Sequence, residues 1–406
     1  MRILILSQWF QPEPTFKGLP LAKALQAKGH AVEVLTGFPN YPGGRLYPGY
    51  KLRLWKREVV DGIRITRVIL YPSHDRSALR RVFNYMSFAL STSLLGTFLV
   101  KKPDIVYAFN LVTLGPTTHL LRLRFGSSII LDVQDLWPDS VIDSEMIKNG
   151  FFHAMLARYC RIVYQDADHL IALSPGMKAE LVRRGIDQSK ISVVYNWCED
   201  KTIVKGEDGE KPLLAPNLNG RFVAMYAGNM GVMQRLDILL EAAEKIGKIE
   251  ANIALVFVGG GVDRERLKNI AQLKALKNVF FLERQPPERM PSIYRLADVL
   301  LVHLKDTNLF RMTIPSKIQA YMAAGKPMIA GIRGDAADLI RVSGSGKAVN
   351  PESPEELAES ILGFFRMPIL ERTEMGTRGR DYYDKHLAMN VGVDRIEKIF
   401  VANCQR

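Results

Sequence analysis

The chain has 406 residues, of which 47% are hydrophobic and 24% charged, so its composition is globular and excludes a low-complexity or disordered protein. Its length predicts two domains of about 200 residues each. The net charge of +13 indicates an acidic partner such as nucleic acid, anionic lipid or a phosphorylated substrate. Cys160, Cys198 and Cys404 are far apart and form no CxxC pair, which argues against a disulfide framework or a zinc site and predicts a reducing compartment.

The first half of the chain alternates apolar strands with helices. Residues 1–7 form an apolar run that is too short for a signal peptide and is predicted to be a buried strand at 2–7. A helix at 19–28 and a strand at 30–36 complete a βαβ unit, which predicts a parallel sheet. Further strands are predicted at 104–108, 128–133, 169–173 and 190–194, with helices at 151–166 and 175–184.

Residues 82–100 form the most apolar long segment, and Arg80-Arg81 and Lys101-Lys102 flank it. Polar residues dilute the segment, so the sequence favours a buried or membrane-lying amphipathic helix over a membrane span. The basic residues around 51–57 and 76–81 suit an anionic membrane surface, where each cation contributes about 1 kcal/mol. A solvated basic face over a core helix is the alternative.

A charged, proline-rich stretch at 199–219 is predicted to be a linker, after which the alternation resumes. Strands are predicted at 222–226, 253–258, 279–282, 299–303 and 327–330, and helices at 234–246, 264–276, 290–297 and 313–327. The fold class is therefore α/β, with two Rossmann-like doubly wound domains facing a central cleft. Ligands of such folds bind at the carboxyl ends of the strands.

The helix predicted at 313–327 carries the most specific local signal. Thr313 is a candidate N-cap, Pro315 lies at the helix start, and a Gly-Lys-Pro sequence at 325–327 ends the helix. A helix start that carries Ser316 and Lys317 can bind phosphate, because free N–H groups and the helix dipole favour an anion. An ordinary capped surface helix is the alternative.

Two glycine turns follow strands of the second domain, at 228–231 and 259–261. Glycine allows the backbone to approach a phosphate closely, although glycines also serve plain turns. Neither turn is a dinucleotide fingerprint or a P-loop, so kinases and NAD enzymes are disfavoured.

Candidate site residues in the first domain follow two of its strands. Glu13 and Lys17 lie in the loop after the first strand, either as a surface ion pair of little energetic value or facing the cleft. Asp132, Asp135 and Asp139 surround the sequence Trp137-Pro138 after another strand. This cluster suits acid/base chemistry or hydroxyl binding, and an N-cap of the next helix is the alternative.

A family resemblance extends in order over essentially the whole chain. The stretches that carry it are 12–18 (PEPTFKG), 36–42 (TGFPNYP), 135–140 (DLWPDS), 196–197 (NW), 226–231 (YAGNMG), 315–317 (PSK) and 323–327 (AAGKP). They resemble the bacterial branch of glycosyltransferase family four, specifically the O-antigen L-N-acetylfucosamine (L-fucosamine-type) transferases.

The resemblance implies the GT-B architecture. We expect an acceptor-binding domain at 1–198, the linker at 199–219, a nucleotide-sugar-binding domain at 220–375, and C-terminal helices at 376–406 that can cross back to the first domain. The resemblance also implies a UDP-sugar donor and transfer that retains the anomeric configuration without a metal or another cofactor.

The sequence departs from the family pattern at several positions. Met312 and Ala320 replace two glutamates, the second of which usually binds the nucleotide ribose. Gln134 replaces a histidine, and Gln234-Arg235 replaces a lysine-glycine pair. We therefore expect Arg235 and Lys317 to be the cations that hold the diphosphate, and ribose recognition to come from elsewhere.

These considerations predict a complete set of site residues. The expected catalytic residues are Asp135, Arg235 and Lys317. The expected donor-binding residues are Gly18, Gly228, Asn229, Gly231, Arg284, Pro315, Ser316 and Ile318. The expected acceptor-side residues are Glu13, Lys17, Asp132 and Trp137, and no metal site is expected.

The predicted function is transfer of a deoxy-acetamido hexose from a UDP-sugar to a polyprenyl-diphosphate-linked oligosaccharide during O-antigen or capsule synthesis. The protein would then be cytoplasmic and peripheral on the anionic cytoplasmic face of the inner membrane. A non-hydrolysing UDP-sugar 2-epimerase and a non-catalytic scaffold of a polysaccharide assembly complex are the alternatives. No RNP-like, KH or helix-turn-helix pattern supports a nucleic-acid partner.

Overall fold

The structure, a computed structural model, describes residues 1–15, 17–73, 77–139, 150–198, 218 and 220–404. The chain forms two compact units, Met1–Tyr195 together with Val393–Arg406, and Asn196–Gly392. Apart from Leu218, the predicted linker at 199–219 lies outside the described residues.

The described part of the first unit contains an eight-stranded sheet with the order β3-β4-β2-β1-β5-β6-β7-β8. All its strand pairs are parallel except β3 with β4. The strands are β1 Arg2–Leu6, β2 Ala31–Gly37, β3 Trp55–Val60, β4 Ile63–Val68, β5 Ile105–Phe109, β6 Ser128–Val133, β7 His169–Ala172 and β8 Ile191–Val193.

The central strands form because their side chains are apolar on both faces, as a parallel sheet covered by helices requires. All five residues of β5 are buried, which confirms the strand predicted at 104–108. The hairpin of β3 and β4 was not predicted. Its turn is Asp61-Gly62, and both residues have the positive φ that a tight hairpin requires.

Helices connect the strands of the first unit. They are α1 Leu19–Ala27, α2 Ala78–Ser91, α3 Gly115–Phe125, α4 Gly150–Asp166 and α5 Pro175–Arg183. Helix α2 continues through a π-helical segment, Thr92–Gly96, and a final turn, Thr97–Leu99.

The second unit contains a six-stranded, all-parallel sheet within its described residues, with the order β11-β10-β9-β12-β13-β14. Its strands are β9 Phe222–Ala227, β10 Ile253–Val258, β11 Val279–Leu282, β12 Val299–His303, β13 Met328–Gly331 and β14 Gly346–Val349. Strand β14 was not predicted, since only one of its four residues is fully buried and its apolar signal is weak.

The four helices predicted in this unit are all shorter in the structure. The bounds are α6 Asp237–Gly247, α7 Arg264–Leu273, α8 Met290–Arg295, α9 Asn308–Arg311, α10 Ser316–Ala323, α11 Asp335–Ser343, α12 Pro354–Arg366, α13 Ile369–His386 and α14 Met389–Cys404. Residues 232–234 form a separate 3-10 turn before α6.

The prediction that Thr313 caps the helix expected at 313–327 is wrong. Helix α10 begins at Ser316 with Pro315 as its N-cap residue. The Thr313 hydroxyl instead donates to the Leu309 carbonyl, at 2.9 Å, and so completes the preceding short helix α9.

The C-terminal helix α14 packs within the first unit from Val393 onward. The Phe400 ring lies edge-on to Tyr107 with centroids 5.6 Å apart. The carboxylate of Glu397 lies 2.8 Å from both Lys28 Nζ and His30 Nε2. The last helix is therefore part of the covering layer of the first sheet.

Helix α2 and its continuation expose a large apolar face. The face toward the unit combines the buried side chains of Phe88 and Ala89 with polar ones, and the hydroxyls of Thr92 and Ser93 lie 2.7 and 2.9 Å from that of Thr117. The outward face is apolar, and its large side chains are 43–72% exposed. They are Leu79, Val82, Phe83, Met86, Leu90, Leu94 and Phe98. Among the described residues, Leu79–Leu99 is the one helix that is long and apolar enough to cross a membrane, by length and composition only.

A buried ion pair connects the loop after β1 to the end of β6. Lys17 Nζ lies 2.6 Å from Asp132 Oδ2, and neither side chain is exposed. The Tyr107 hydroxyl and the Gln134 amide also donate to the Asp132 carboxylate. These donors offset part of the cost of removing the carboxylate from water.

We predict that Lys17→Met lowers the free energy of unfolding by about 3–5 kcal/mol, because it leaves the Asp132 carboxylate buried without its cation. Chemical denaturation measures this change. The matched control is Lys23→Met, which removes an exposed pair of similar length, 2.8 Å to Asp61, and should cost about 0–1 kcal/mol. Equal stability of the two variants would contradict the prediction.

Candidate active site

A cavity of about 770 Å³ lies at the carboxyl ends of strands β9, β10 and β12 in the second unit. Its size suits a nucleotide-sized ligand. The residues that line it are Ala227, Gly228, Asn229, Gln234, Val258, Gly259, Gly260, Gly261, Arg284, Gln285, Pro287, Met290, Tyr294, Val302, His303, Leu304, Phe310, Thr313, Pro315, Ser316, Lys317 and Ala320.

The Lys317 side chain crosses over the first glycine turn. Gly228 has a φ of +136°, and a Cβ atom there would lie 2.6 Å from Lys317 Cε. A Cβ on Gly259, whose φ is +137°, would lie 2.2 Å from the Gly228 carbonyl oxygen. The two turns therefore need glycine because they pack against each other and against the lysine.

The Lys317 ammonium group is shielded from water even though the residue as a whole is half-buried. Its Nζ lies 3.6 Å from the centroid of the Tyr226 ring and donates to the Tyr226 hydroxyl. Removal from water lowers the pKa of Lys317 to about 7. The Tyr226 ring partly compensates through a cation–π contact, but no carboxylate forms an ion pair with Lys317 within the described residues. An anion bound beside Lys317 would therefore stabilise the charged form of the lysine.

The start of α10 adds backbone donors beside Lys317. Helix geometry leaves the N–H groups of Ser316 and Lys317 without an acceptor inside the helix. The Ile318 N–H donates to the Pro315 carbonyl at 2.9 Å, and the Ile318 side chain is fully buried. Of the residues predicted here, Pro315 and Ser316 line the cavity, whereas Ile318 supports the helix from the core.

The other donor-binding residues predicted in this unit, and the predicted catalytic residue Arg235, divide into two groups. Asn229 and Arg284 join Gly228 in the cavity lining. Gly231 and Arg235 are not among the described lining residues. The Arg235 guanidinium lies 3.2 Å from Asp237 and 3.6 Å from Glu352. This placement favours Lys317 and Arg284 as the cations of the cavity, and a catalytic role for Arg235 stays a prediction.

The position where the wider family has a ribose-binding glutamate lies in the lining, and Ala320 occupies it. His303 lies nearby with both ring nitrogens 2.8 Å from carbonyl oxygens, those of Gln234 and Pro351. Burial lowers the pKa of His303, so the neutral ring donates to one carbonyl only. Sequence reasoning missed both His303 and Tyr226, because an apolar strand gives no signal for a polar side chain that acts at its end.

In the first unit, Glu13 connects two loops. Its carboxylate accepts the N–H groups of Asn40 and Tyr41 at 2.7 Å and that of Phe10 at 3.0 Å. Burial raises the pKa of Glu13 to about 7, although these bonds favour the charged form. Of the two alternatives predicted for Glu13 and Lys17, the surface ion pair is therefore wrong, because both side chains are buried and Lys17 pairs with Asp132.

The remaining first-unit residues lie near the carboxyl ends of β1 and β6. Gly18 is the N-cap residue of α1, and a Cβ there would lie 2.0 Å from Thr15 Oγ1. Asp135 is exposed as a residue. Partial removal of its carboxyl from water nevertheless raises the pKa of Asp135, and a hydrogen bond with Asn110 opposes this rise. Trp137 is half-buried, with its ring 6.5 Å from that of Tyr85. Asp135 and Trp137 thus remain accessible, whereas Glu13, Lys17 and Asp132 act from inside the unit.

Two family profiles match the chain and together span most of it. Residues 19–197 match the glycosyl transferase 4-like domain, and residues 215–382 match the glycosyl transferases group 1 family.

Curated relatives agree with these profiles. The chain is 25% identical to the glycosyl transferase WcaI of Escherichia coli, named for colanic acid biosynthesis, over 95% of this chain and 96% of the relative. It is 26% identical to the glycosyltransferase WbjE of Pseudomonas aeruginosa, over 68% of this chain and 69% of the relative.

Solved structures share the fold. HepE of Anabaena, crystallised in complex with UDP, superposes with a TM-score of 0.71 at 14% identity, covering 99% of this chain and 100% of that one. The trehalose 6-phosphate synthase of Burkholderia multivorans superposes with a TM-score of 0.75 at 14% identity, covering 99% of this chain and 96% of that one. The fold class predicted from the sequence is confirmed. With its two parallel-sheet α/β units and both domain matches, the chain belongs to the family-four glycosyltransferases of GT-B fold, and it is a glycosyltransferase.

Proposed function

We propose that the protein transfers a hexose, specifically a deoxy-acetamido hexose, from a UDP-sugar whose diphosphate binds at Lys317. The observation that carries this proposal is the desolvated ammonium group of Lys317, held between the Gly228 turn and the N-terminus of α10. A diphosphate would supply the negative charge that this lysine lacks within the described residues.

Uridine as the base is supported by relatives of the same fold. HepE of Anabaena was crystallised with UDP and with UDP-glucose. In this chain the side chains of Arg284 and Gln285 line the cavity beyond the glycine turns, where the nucleoside would extend from the diphosphate. With Ala320 in place of a glutamate, the ribose hydroxyls would be bound by other lining groups.

The chemistry follows from the charges that develop during transfer. The bond between the sugar carbon and the β-phosphate oxygen breaks, and the acceptor oxygen bonds to that carbon. Negative charge grows on the leaving diphosphate, so Lys317 and the N–H groups of α10 stabilise the transition state more than the ground state. In a metal-independent, retaining reaction the departing phosphate oxygen takes the acceptor proton on the same face, and Asp135 orients a hydroxyl.

We infer that the acceptor is a sugar chain linked through diphosphate to a polyprenyl lipid, in the synthesis of a surface polysaccharide such as O-antigen or capsule. WcaI, named for colanic acid biosynthesis, supports this context. The protein would then work at the cytoplasmic face of the inner membrane. The membership in a glycosyltransferase family favours this function over a UDP-sugar epimerase or a scaffold.

The outward apolar face of α2 and its continuation supports membrane contact. Its exposed residues 79, 83, 86, 90, 94 and 98 are three or four positions apart and form one stripe. Basic residues lie at both ends of the segment, Arg80-Arg81 and Lys101-Lys102. An apolar stripe with cations at its ends is typical of a helix that lies in the interface of an anionic bilayer.

We predict that Lys317→Met lowers kcat/KM for sugar transfer about 100-fold or more, as does loss of one oxyanion donor in other enzymes. Transfer from UDP-sugar to lipid-linked acceptor is measured in detergent. Lys248→Met, which removes a lysine that is 71% exposed, is the matched control and should keep normal activity. Full activity of Lys317→Met would refute the assignment of the diphosphate site.

We predict that the triple variant Met86→Ser, Leu90→Ser, Leu94→Ser loses vesicle binding at least about tenfold, because the three side chains no longer insert into the bilayer. Flotation with vesicles that contain anionic lipid measures binding. The control replaces three even more exposed apolar residues of the second unit, Leu273, Ile369 and Leu370, by Ser. Equal flotation of both variants, or indifference of the wild type to lipid charge, would count against membrane contact.

A further inference from the structure

An aromatic cluster in the first unit contains Trp137, which the sequence predicts on the acceptor side, and three further rings that the proposed function does not use. It consists of Trp9, Tyr41, Tyr85 and Trp137, and all four residues are half-buried. The ring centroids are 5.1 Å apart for Trp9 and Tyr41, 6.3 Å for Trp9 and Tyr85, and 6.5 Å for Tyr85 and Trp137. A core cluster would bury its rings fully, whereas this one keeps part of each ring accessible.

The cluster lies where an α/β sheet binds ligands. Trp9 follows β1, Tyr41 follows β2 and Trp137 follows β6, and these strands belong to the contiguous order β2-β1-β5-β6. The chain proceeds from β1 to β2 on one side and later to β5 on the other side, so the strand order reverses between β1 and β5. Ligands of open parallel sheets bind outside the carboxyl ends of the strands at such a switch point.

Polar groups with unused hydrogen-bonding capacity surround the rings. Asn110 follows β5 with a φ of 73°, and its buried side-chain oxygen has no hydrogen-bond partner in the described part of the chain. The buried Nε of Arg81 likewise has none there. Burial raises the pKa of Tyr85, the Arg81 charge lowers it, and Asp135 and Tyr41 raise it further. These electrostatic effects indicate that Arg81, Asp135 and Tyr41 are neighbours of the Tyr85 ring.

Tyr85 and Arg81 lie on α2, the same helix that carries the outward apolar stripe. The two residues are four positions apart and therefore lie on one side of the helix. Next to them in the sequence, Val82 and Met86 belong to the exposed stripe. A ligand that contacts Arg81 and Tyr85 would thus lie within about 10 Å, one helix diameter, of anything that the stripe contacts.

We propose that the aromatic cluster and Arg81 form the subsite for the acceptor, with the rings against the sugar and the Arg81 guanidinium on the diphosphate that joins this sugar to its lipid. Aromatic rings offer rigid apolar faces, and the planar guanidinium matches phosphate oxygens bidentately. The side-chain oxygens of Asn110 and Asp135 would accept hydrogen bonds from the sugar hydroxyls. This inference rests on the lipid-linked acceptor of the proposed function and identifies the residues that recognise it.

The test uses farnesyl-diphospho-N-acetylglucosamine as a soluble probe and tryptophan fluorescence as the signal, because Trp9 and Trp137 are two of the chain's four tryptophans. It needs neither membrane nor UDP-sugar. We expect saturable quenching for the wild type and a Kd raised at least about tenfold for Arg81→Gln and for Tyr85→Ala, since each removes a direct contact. Tyr85→Phe keeps the ring and should bind nearly as the wild type does. Arg158→Gln removes an exposed charge from α4 and should leave the Kd unchanged.

Two further probes separate the parts of the ligand. Farnesyl diphosphate should bind more weakly than the complete probe, and Arg81→Gln should weaken its binding further. The methyl glycoside of N-acetylglucosamine lacks the diphosphate, so only Tyr85→Ala should weaken its binding. Unchanged affinity for the complete probe in both variants would overturn the proposal, as would a loss confined to vesicle binding. UDP binding, measured by thermal shift on the same variants, should stay normal. If the wild type did not bind UDP, that result would refute the donor site and not the acceptor subsite.

Discussion

The second unit depends on a lysine that is kept from water without a carboxylate partner in the described part of the chain. Lys317 reaches across a turn in which only glycine fits, and its ammonium group rests on the Tyr226 ring. Burial lowers the pKa of Lys317 to about 7, which means that folding holds the charged form at a cost. A negatively charged ligand would stabilise this arrangement, because it would pair with the ammonium group. The N-terminus of α10 beside the lysine also favours an anion. The glycine turns and α10 together create this environment.

The first unit combines two environments on a single helix. The inward face of α2 and its continuation buries Phe88 and bonds to Thr117 through Thr92 and Ser93, while the opposite face exposes large apolar side chains. In water this arrangement exposes apolar area that a soluble core helix would bury, so an apolar contact outside the chain would stabilise it. A lipid-linked acceptor and an aromatic subsite beside the helix would make that contact useful for catalysis.

Much of the fold could be predicted because parallel strands that are buried on both faces read as apolar runs. The βαβ beginning and strands such as β5 and β10 follow directly from this rule. The β3–β4 hairpin was missed although Asp61-Gly62 is a strong turn signal, because charged residues interrupt its strands. The start of α10 was placed three residues early, since Thr313 has capping chemistry but completes α9 instead.

The site was predictable in part. Lys317, Ser316 and Gly228 could be chosen because helix starts and glycine turns have local signatures. The Lys17–Asp132 pair joins residues 115 positions apart, and no local pattern reports such a contact. The exposed apolar face of α2 was latent in the spacing of its apolar residues, but spacing does not say which face meets the protein. Contacts with several parts of the unit decide that, among them Thr117 of α3 and Gln8 of the loop after β1.

Proton uptake during donor binding tests the central claim about Lys317 most directly. UDP-glucose is suitable because its diphosphate has no group that titrates near neutrality. If the diphosphate binds at Lys317, the lysine is largely neutral at pH 8 before binding and charged afterwards, because its pKa in the free protein is about 7. Calorimetry in two buffers of different ionisation enthalpy should then show uptake of up to about one proton at pH 8, little uptake at pH 6, and none for Lys317→Met. Binding heats that do not depend on the buffer at pH 8 would contradict the account.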